Sequence, residues 1–241
     1  MDAPESSTSA ETVLRPYNYE LIEGDDGSRV TVTLETSPLD QAKLWPIVQV
    51  GFVDLNRKSF EKQDMTHEEF VADMESPDVY KYLAYDSEGE PVGYLTVHNG
   101  LEHISWVDTE MIRAEQAKVD ADATSYYVGT LVVTPEKRGT GAAELLLRGA
   151  IRHFSQANAT TGHDAEVFFD CAGANHPWLA QFIQSVGNQN ESTDGVRISV
   201  TNFAESYWAK EGDETHFRTG VPPEGTAVLD TEHFYAIQLH A

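Results

Sequence analysis

Cysteine is almost absent: Cys171 is the only one among 241 residues. A single thiol excludes an internal disulfide framework and any zinc site built on several cysteines, and no metal is expected. Positive charge is scarce too, with 16 Lys and Arg against 40 Asp and Glu, for a formal net charge of −24. Only seven of the basic residues are lysine, and the acid is spread along the chain. Such a surface repels polyanions, so no nucleic acid and no membrane partner is expected, since both are held by clustered Lys and Arg. It would suit a protein that stays soluble in concentrated salt, and equally an ordinary acidic one. No apolar run nears the roughly 20 residues needed to cross a bilayer. The first residues lack the basic start and apolar centre of a signal peptide, so the expected location is cytoplasmic. Residues 1–16 are Ser, Thr, Glu and Ala without apolar periodicity and read as a disordered tail, leaving 17–241 as a single domain.

What is present centres on Tyr126 to Ile151. Tyr126 to Val133 is β-branched, aromatic and almost wholly apolar, the pattern of a strand covered on both faces, and Thr134-Pro135 ends it. Ala143, Leu146, Leu147, Ala150, Ile151 and Phe154 then recur at helical spacing, with Glu144, Arg148 and Arg152 on a polar stripe. Between strand and helix lies Arg138-Gly-Thr-Gly-Ala-Ala143. Its residues are small enough for backbone N–H groups to approach a ligand, and the helix dipole adds positive potential there. The natural ligand is a phosphate or pyrophosphate. No Lys-Ser or Lys-Thr follows the glycines, which excludes the nucleoside-triphosphate loop. The dinucleotide fingerprint fits poorly, because Glu144 stands where it needs a third small residue and Asn158-Ala-Thr-Thr-Gly162 stands where it needs an acid.

The surroundings add further elements. Arg29 to Glu35 alternates like a strand, Ser37-Pro38 opens a helical run to about Val53, and Thr66-His-Glu-Glu69 has the spacing of a capping box. Tyr80 to Tyr85 and Val92 to Val97 flank the turn-rich Asp86 to Pro91 as a β-hairpin. Ala165 to Cys171 reads as a strand, Pro177 to Val186 as a helix stopping at Gly187, and Val196 to Trp208 and Ala227 to Leu239 as two last strands.

Arg138-x-x-Gly141-x-Ala143 after a Val-x-Pro strand end, with a hairpin before it and a strand and helix after it, resembles the pyrophosphate loop of the GNAT acyltransferase superfamily. The resemblance spans roughly residues 28 to 240. It implies an α/β (α+β) fold with a mixed central sheet of about seven strands, splayed between the fourth and fifth, with about four flanking helices. It implies acetyl-CoA or another acyl-CoA as co-substrate and an N-acyltransferase that passes the acyl group to a primary amine by direct attack. A catalytically degenerate acyl-CoA-binding module is the alternative, and a Rossmann-like nucleotide-binding enzyme the third. The amine is a small molecule or a peptide, and a homodimer is allowed.

By the same resemblance Lys137, Arg138, Gly139, Thr140, Gly141, Ala142 and Ala143 hold the pyrophosphate, Leu131 and Val133 pair with the pantetheine arm as if it were a strand, and Asn175 lies near the donor. Gly129 reads either as the bulge that opens this gap or as a packing glycine. A tyrosine expected four residues before the terminating glycine of the last helix is replaced by Ile183, and Tyr127 stands where some relatives carry Glu. Tyr127 and His98 are the catalytic candidates, with Tyr126 beside them at the start of the strand, although a Tyr on a buried strand is ordinarily core and a lone His ordinarily structural. His103 and Glu110 lie in an insertion at about 99–125, in which Ile104, Val107, Met111 and Ala114 fall at helical spacing. Cys171 is a candidate acyl carrier or a small buried apolar residue, and Asp170 a candidate base or a polar strand end.

Overall fold

A computed structural model describes residues 18–22, 29–35, 39–58, 64–102, 104, 107–119, 123–188, 197–212 and 214–240. Among the described residues stand nine strands: β1 (Asn18–Ile22), β2 (Arg29–Glu35), β3 (Val79–Tyr85), β4 (Pro91–Asn99), β5 (Thr124–Val133), β6 (Ala165–Ala172), β7 (Arg197–Glu211), β8 (Glu214–Thr219) and β9 (Ala227–His240). The helices are α1 (Gln41–Lys58), α2 (His67–Glu75), α3 (Thr109–Val119), α4 (Ala142–Thr161) and α5 (His176–Asn188). One sheet runs β1-β2-β3-β4-β5-β6-β9-β7-β8, with only the β5–β6 pair parallel.

The mixed α+β sheet matches the expectation, and three elements exceed it. β1 and β8 lie at the two edges, where short strands are favoured, and five and six residues carry too few repeats to mark a strand by pattern. The third is α3, inside the insertion. It begins at Thr109, with Asp108 Oδ1 accepting from Met111 N at 3.0 Å. Ile104 and Val107 precede the helix yet join its apolar cluster, and Ile112 is the buried position, where Ala114 had the expected spacing but is exposed.

Two boundaries also shift. The start of α1 is Gln41, with Asp40 Oδ1 accepting from Ala42 N at 3.1 Å, and the helix continues beyond Val53 to Lys58; Ser37 and Pro38 lie outside the described residues. α5 runs through Gly187 to Asn188, because tertiary packing of its apolar face outweighs the weak helix preference of one glycine. The capping box on α2 is complete: Thr66 N donates to Glu69 Oε2 at 2.7 Å and Glu69 N to Thr66 Oγ1 at 3.2 Å.

α4 and α5 cover one face of the sheet, and α1, α2 and α3 the other. On α4 the side chains of Leu145, Leu146, Leu147, Ala150, Ile151 and Phe154 are buried. Each large one contributes about 1.5–3 kcal/mol relative to an exposed position, enough to hold the loop preceding the helix firmly against the sheet. Arg148 ties α4 to α5: Nε donates to Glu144 Oε1 at 2.8 Å, NH2 to Ser185 Oγ at 2.7 Å, and the guanidinium lies 5.5 Å from the Phe182 ring centre.

His153 makes this packing sensitive to acid. Its Nδ1 lies 2.7 Å from Tyr82 Oη inside the core, and burial pulls the imidazole from its ordinary 6.5 down to about 4. A base with a lower pKa in the folded chain favours folding above the unfolded value. That contribution is therefore intact above 6.5 and is lost as pH falls towards 4. At 1.36 kcal/mol per unit the swing is about 3 kcal/mol. His153→Leu is expected to flatten the acid-side fall of Tm by about 5–10 °C across that window. Its lost hydrogen bond lowers Tm at every pH, so the slope of Tm against pH is the quantity to measure.

Candidate functional site

β5 and β6 pair only over Thr124–Tyr127 and Ala165–Phe168. Beyond Tyr127 one strand continues beside β4 and the other beside β9, so the two part and leave a cleft. This is the splay expected between the fourth and fifth strands of the seven read from sequence. Thr130 N donates to Thr96 Oγ1 at 2.9 Å and Thr134 N to Val92 O at 2.9 Å, both towards β4. Backbone groups alternate along a strand, so Leu131 and Val133 turn their N–H and C=O to the other edge, into the cleft. The Val133 carbonyl accepts from Arg138 Nε at 3.3 Å on that side.

The cleft edge is shaped by a bulge. Leu95 stands opposite Leu131 and Val97 opposite Val128, so Gly129 and Thr130 share the single partner Thr96. Gly129 is also a point of close approach, since a Cβ there would fall 2.6 Å from His98 Nε2 and 3.1 Å from Thr96 Oγ1. Both readings of this glycine therefore hold.

At the far end of β5 a 3-10 turn (Pro135–Lys137) leads into the glycine loop. Gly139 has φ 77° and Gly141, the N-cap of α4, φ 87°; both lie in the left-handed region that a side chain disfavours. Leu145 N closes the first helical bond onto Gly141 O at 2.9 Å. The N–H groups of Ala142, Ala143 and Glu144 precede that bond and point out of the helix end. Ala142 packs into the core and Ala143 is half-buried. Thr140 turns its hydroxyl back onto the Lys137 carbonyl at 2.7 Å, which stiffens the loop. Arg138 is held by α1: its NH1 pairs with Asp54 Oδ2, and that hydrogen bond holds the Asp54 carboxyl below its ordinary range. Asn175 sits at the entry to α5, its carbonyl accepting from Leu179 N at 3.2 Å.

Polar side chains gather where β5 and β6 part. Tyr127 is wholly buried among Ile112, Phe168 and Ala236, and its hydroxyl donates to Asp170 on β6, two residues past the last β5–β6 pair. His98 stands opposite Tyr127 on β4, buried, with Nε2 3.9 Å from Asp73 Oδ2 of α2. Burial pushes the Asp73 carboxyl up to about 6; Lys81 opposes the shift and Glu69 adds to it. The catalytic candidates thus come together on the sheet face covered by α1, α2 and α3.

Other candidates are placed elsewhere. Cys171 is half-buried on the α5 side, and burial, Asp170 and Glu232 push its thiol up to about 12, which keeps it protonated and a poor nucleophile at neutral pH. Tyr126 points to the opposite face from Tyr127, stacked on Phe154 at 4.0 Å. Glu110 is exposed on α3, and His103 lies outside the described residues. α5 contains no tyrosine at all, so the missing acid does not depend on where that helix ends. A cavity of about 410 Å³ lies at the opposite end of β5 from the glycine loop, between Gly100, Glu102, Thr124 and the α3 residues Arg113 and Gln116. Among the described residues no group of three or more His, Cys, Asp or Glu is placed to hold a metal, and no helix is long and apolar enough to cross a membrane.

Asp73 and Asp170 escape a reading of the sequence. The capping box reveals the start of α2 but nothing distinguishes Asp73 from other acids on it, and only the β5–β6 register brings Asp170 to Tyr127.

Comparison with known proteins agrees with this geometry. The profile of the acetyltransferase (GNAT) family matches residues 50–177. No curated protein matches the chain significantly by sequence. Among solved structures it is similar to Arabidopsis thaliana NAA60 in complex with a bisubstrate analogue, at 14% identity, TM-score 0.51, covering 86% of this chain and 96% of that one. A GNAT-family acetyltransferase from Listeria monocytogenes superposes at 13% identity and TM-score 0.50, over 91% and 98% of the two chains. FeeM, an N-acyl amino acid synthase from uncultured soil microbes, does so at 10% identity and TM-score 0.50, over 88% and 92%. Likeness at these identities shows the fold.

Proposed function

Because the chain belongs to the GNAT acetyltransferase family, we propose that it is an acyl-CoA-dependent N-acyltransferase moving an acetyl group from acetyl-CoA to a primary amine by direct attack. The observation that carries the reading is the continuity of the donor site. The Leu131 and Val133 edge opens at the parting of β5 and β6 and leads along one strand into the N–H groups at the start of α4. An extended amide-bearing arm adds to such an edge as a strand would, and the pyrophosphate meets the helix end. Lys137 adds charge beside it.

The thioester carbon then lies near the vertex, where an edge N–H can polarise its carbonyl. A neutral amine attacks, the C–S bond breaks with its electron pair on sulfur, and the thiolate needs a proton. Tyr127, oriented by Asp170, supplies that proton in place of the tyrosine that α5 lacks. Attack is direct, since a Cys171 thiol that stays protonated is a poor acyl carrier.

Thermal shift with CoA, acetyl-CoA and NAD, followed by thiol release on a panel of polyamines, amino acids, aminoglycosides and peptides, tests the reading. Stabilisation by CoA and acetyl-CoA, with thiol released on at least one amine, is expected. Stabilisation by NAD alone overturns it, and stabilisation by CoA with no release on any amine replaces it with an acyl-CoA-binding module.

A further inference from the structure

Acyl transfer to an amine needs a second proton-handling group, one that removes a proton from the nitrogen as it attacks. The bulge shows where such a group enters. β5 has no side chain at Gly129, and the space a Cβ would take is filled by His98, whose Nε2 would lie 2.6 Å and Cδ2 2.8 Å from it. An imidazole anchored on β4 therefore stands on β5 in the place of that strand's own missing side chain, between Tyr127 and the edge group Leu131. His98 and Tyr127 are cross-strand partners, so both project on the same face of the sheet.

We propose that His98 takes the proton from the attacking amine, reaching the vertex through the gap left by Gly129, with Asp73 as the positioning residue beside the same ring nitrogen. This assignment rests on the transferase reading above. The amine nitrogen bonds to the thioester carbon and gives one proton to His98 Nε2; the C–S bond breaks onto sulfur, which takes a proton from the Tyr127 hydroxyl. Imidazolium and phenolate then return to their starting forms by exchange with solvent.

The charges around the imidazole support an imidazolium formed in this way. Asp73 on α2 is nearest, with Nε2 to Oδ2 at 3.9 Å, and Glu69 lies on the same helix. From β3 comes Lys81, whose Nζ donates to Ser76 O and whose ammonium acts on Asp73; Tyr94 and Tyr127 are the remaining titratable neighbours. Above about 6 Asp73 is ionised, and below it the carboxyl is protonated, withdrawing the negative charge that holds the imidazolium. Turnover therefore falls on the acid side, where the His98–Asp73 pair takes up a proton before the amine attacks.

The full-length chain tests this with two readouts. Imidazole ¹H–¹⁵N spectra, with His98 assigned by its loss in His98→Gln, are recorded with and without CoA as probe; movement of the His98 signals on saturation is expected. Thiol release is then followed against pH on the amine that turns over best. His98→Gln is expected to lower kcat about 100-fold with CoA affinity within two-fold. Gly129→Ala, which displaces the His98 ring without removing either titrating side chain, is also expected to lower kcat. Asp73→Asn is expected to move the acid-side inflection to lower pH, which a purely structural role would leave in position. His98 signals unmoved by CoA, or a His98→Gln enzyme with kcat within two-fold of the original, overturn the assignment. The two readings fail separately: no thiol release by the unaltered chain sinks the transferase reading, and full release by His98→Gln sinks only the role of His98.

Discussion

Gly141→Glu is expected to abolish stabilisation by CoA and to weaken CoA binding by more than 100-fold. Two effects add. Gly141 has φ 87°, where an L side chain costs about 1–2 kcal/mol. The larger effect is chemical: a carboxylate attached to the N-cap reaches the N–H groups that the pyrophosphate would use, and it repels the phosphates from where the helix end would attract them. Gly141→Ala separates the two, since it carries the backbone strain without the charge and should lose only part of the thermal shift. Melting curves of the three chains over a CoA titration are the measurement. A Gly141→Glu chain that keeps the full shift would place the pyrophosphate somewhere other than the start of α4.

Tyr127→Phe is expected to lower kcat about 100-fold, at the lower end of what a positioned acid or base contributes, while leaving CoA affinity unchanged. The ring is wholly buried against Ile112, Phe168 and Ala236, and phenylalanine keeps those contacts. What disappears is the hydroxyl and its hydrogen bond to Asp170, worth about 1 kcal/mol of stability. Asp170→Asn should lower kcat by less, because the hydroxyl remains and only its orientation is relaxed. Steady-state thiol release over a range of acetyl-CoA concentrations distinguishes loss in kcat from loss in KM. A rise in KM with kcat intact would make Tyr127 a packing residue.

The strand, glycine turn and helix start that frame the candidate donor site were legible in the chain, and the reason is local. Tyr126 to Ala143 is a strand, a turn and a helix start in unbroken order, so period, glycines and capping positions carry the information within a few residues of one another. The capping box at Thr66 and the hairpin about Asp86 were legible for the same reason. What escaped depends on pairing between distant segments. Asp170 meets Tyr127 through the register of two parallel strands, and Asp73 meets His98 through the docking of a helix on the sheet. No periodicity records either. Gly129 allowed two readings because a bulge and a close contact both call for glycine, and only the partner across the gap, His98, shows that both operate. The edge strands β1 and β8 escaped because five and six residues are too few for a pattern to stand out from turns.

The pairing of Arg138 with Asp54 bears on how this chain meets salt. The arginine's charge is already balanced within the protein, and at the proposed donor site the groups left to grip the donor would be chiefly peptide amides, with one lysine beside them. Dissolved ions screen exposed charges over about 8–10 Å at physiological strength and act much less on dipoles in direct contact with a ligand. A cradle of free arginines would loosen its anion as ions accumulate. In this chain the screening falls mainly on the repulsion between the donor and a surface carrying a net −24. For the proposed donor site, ionic strength and donor binding are therefore expected to act together, and CoA affinity should hold in concentrated salt.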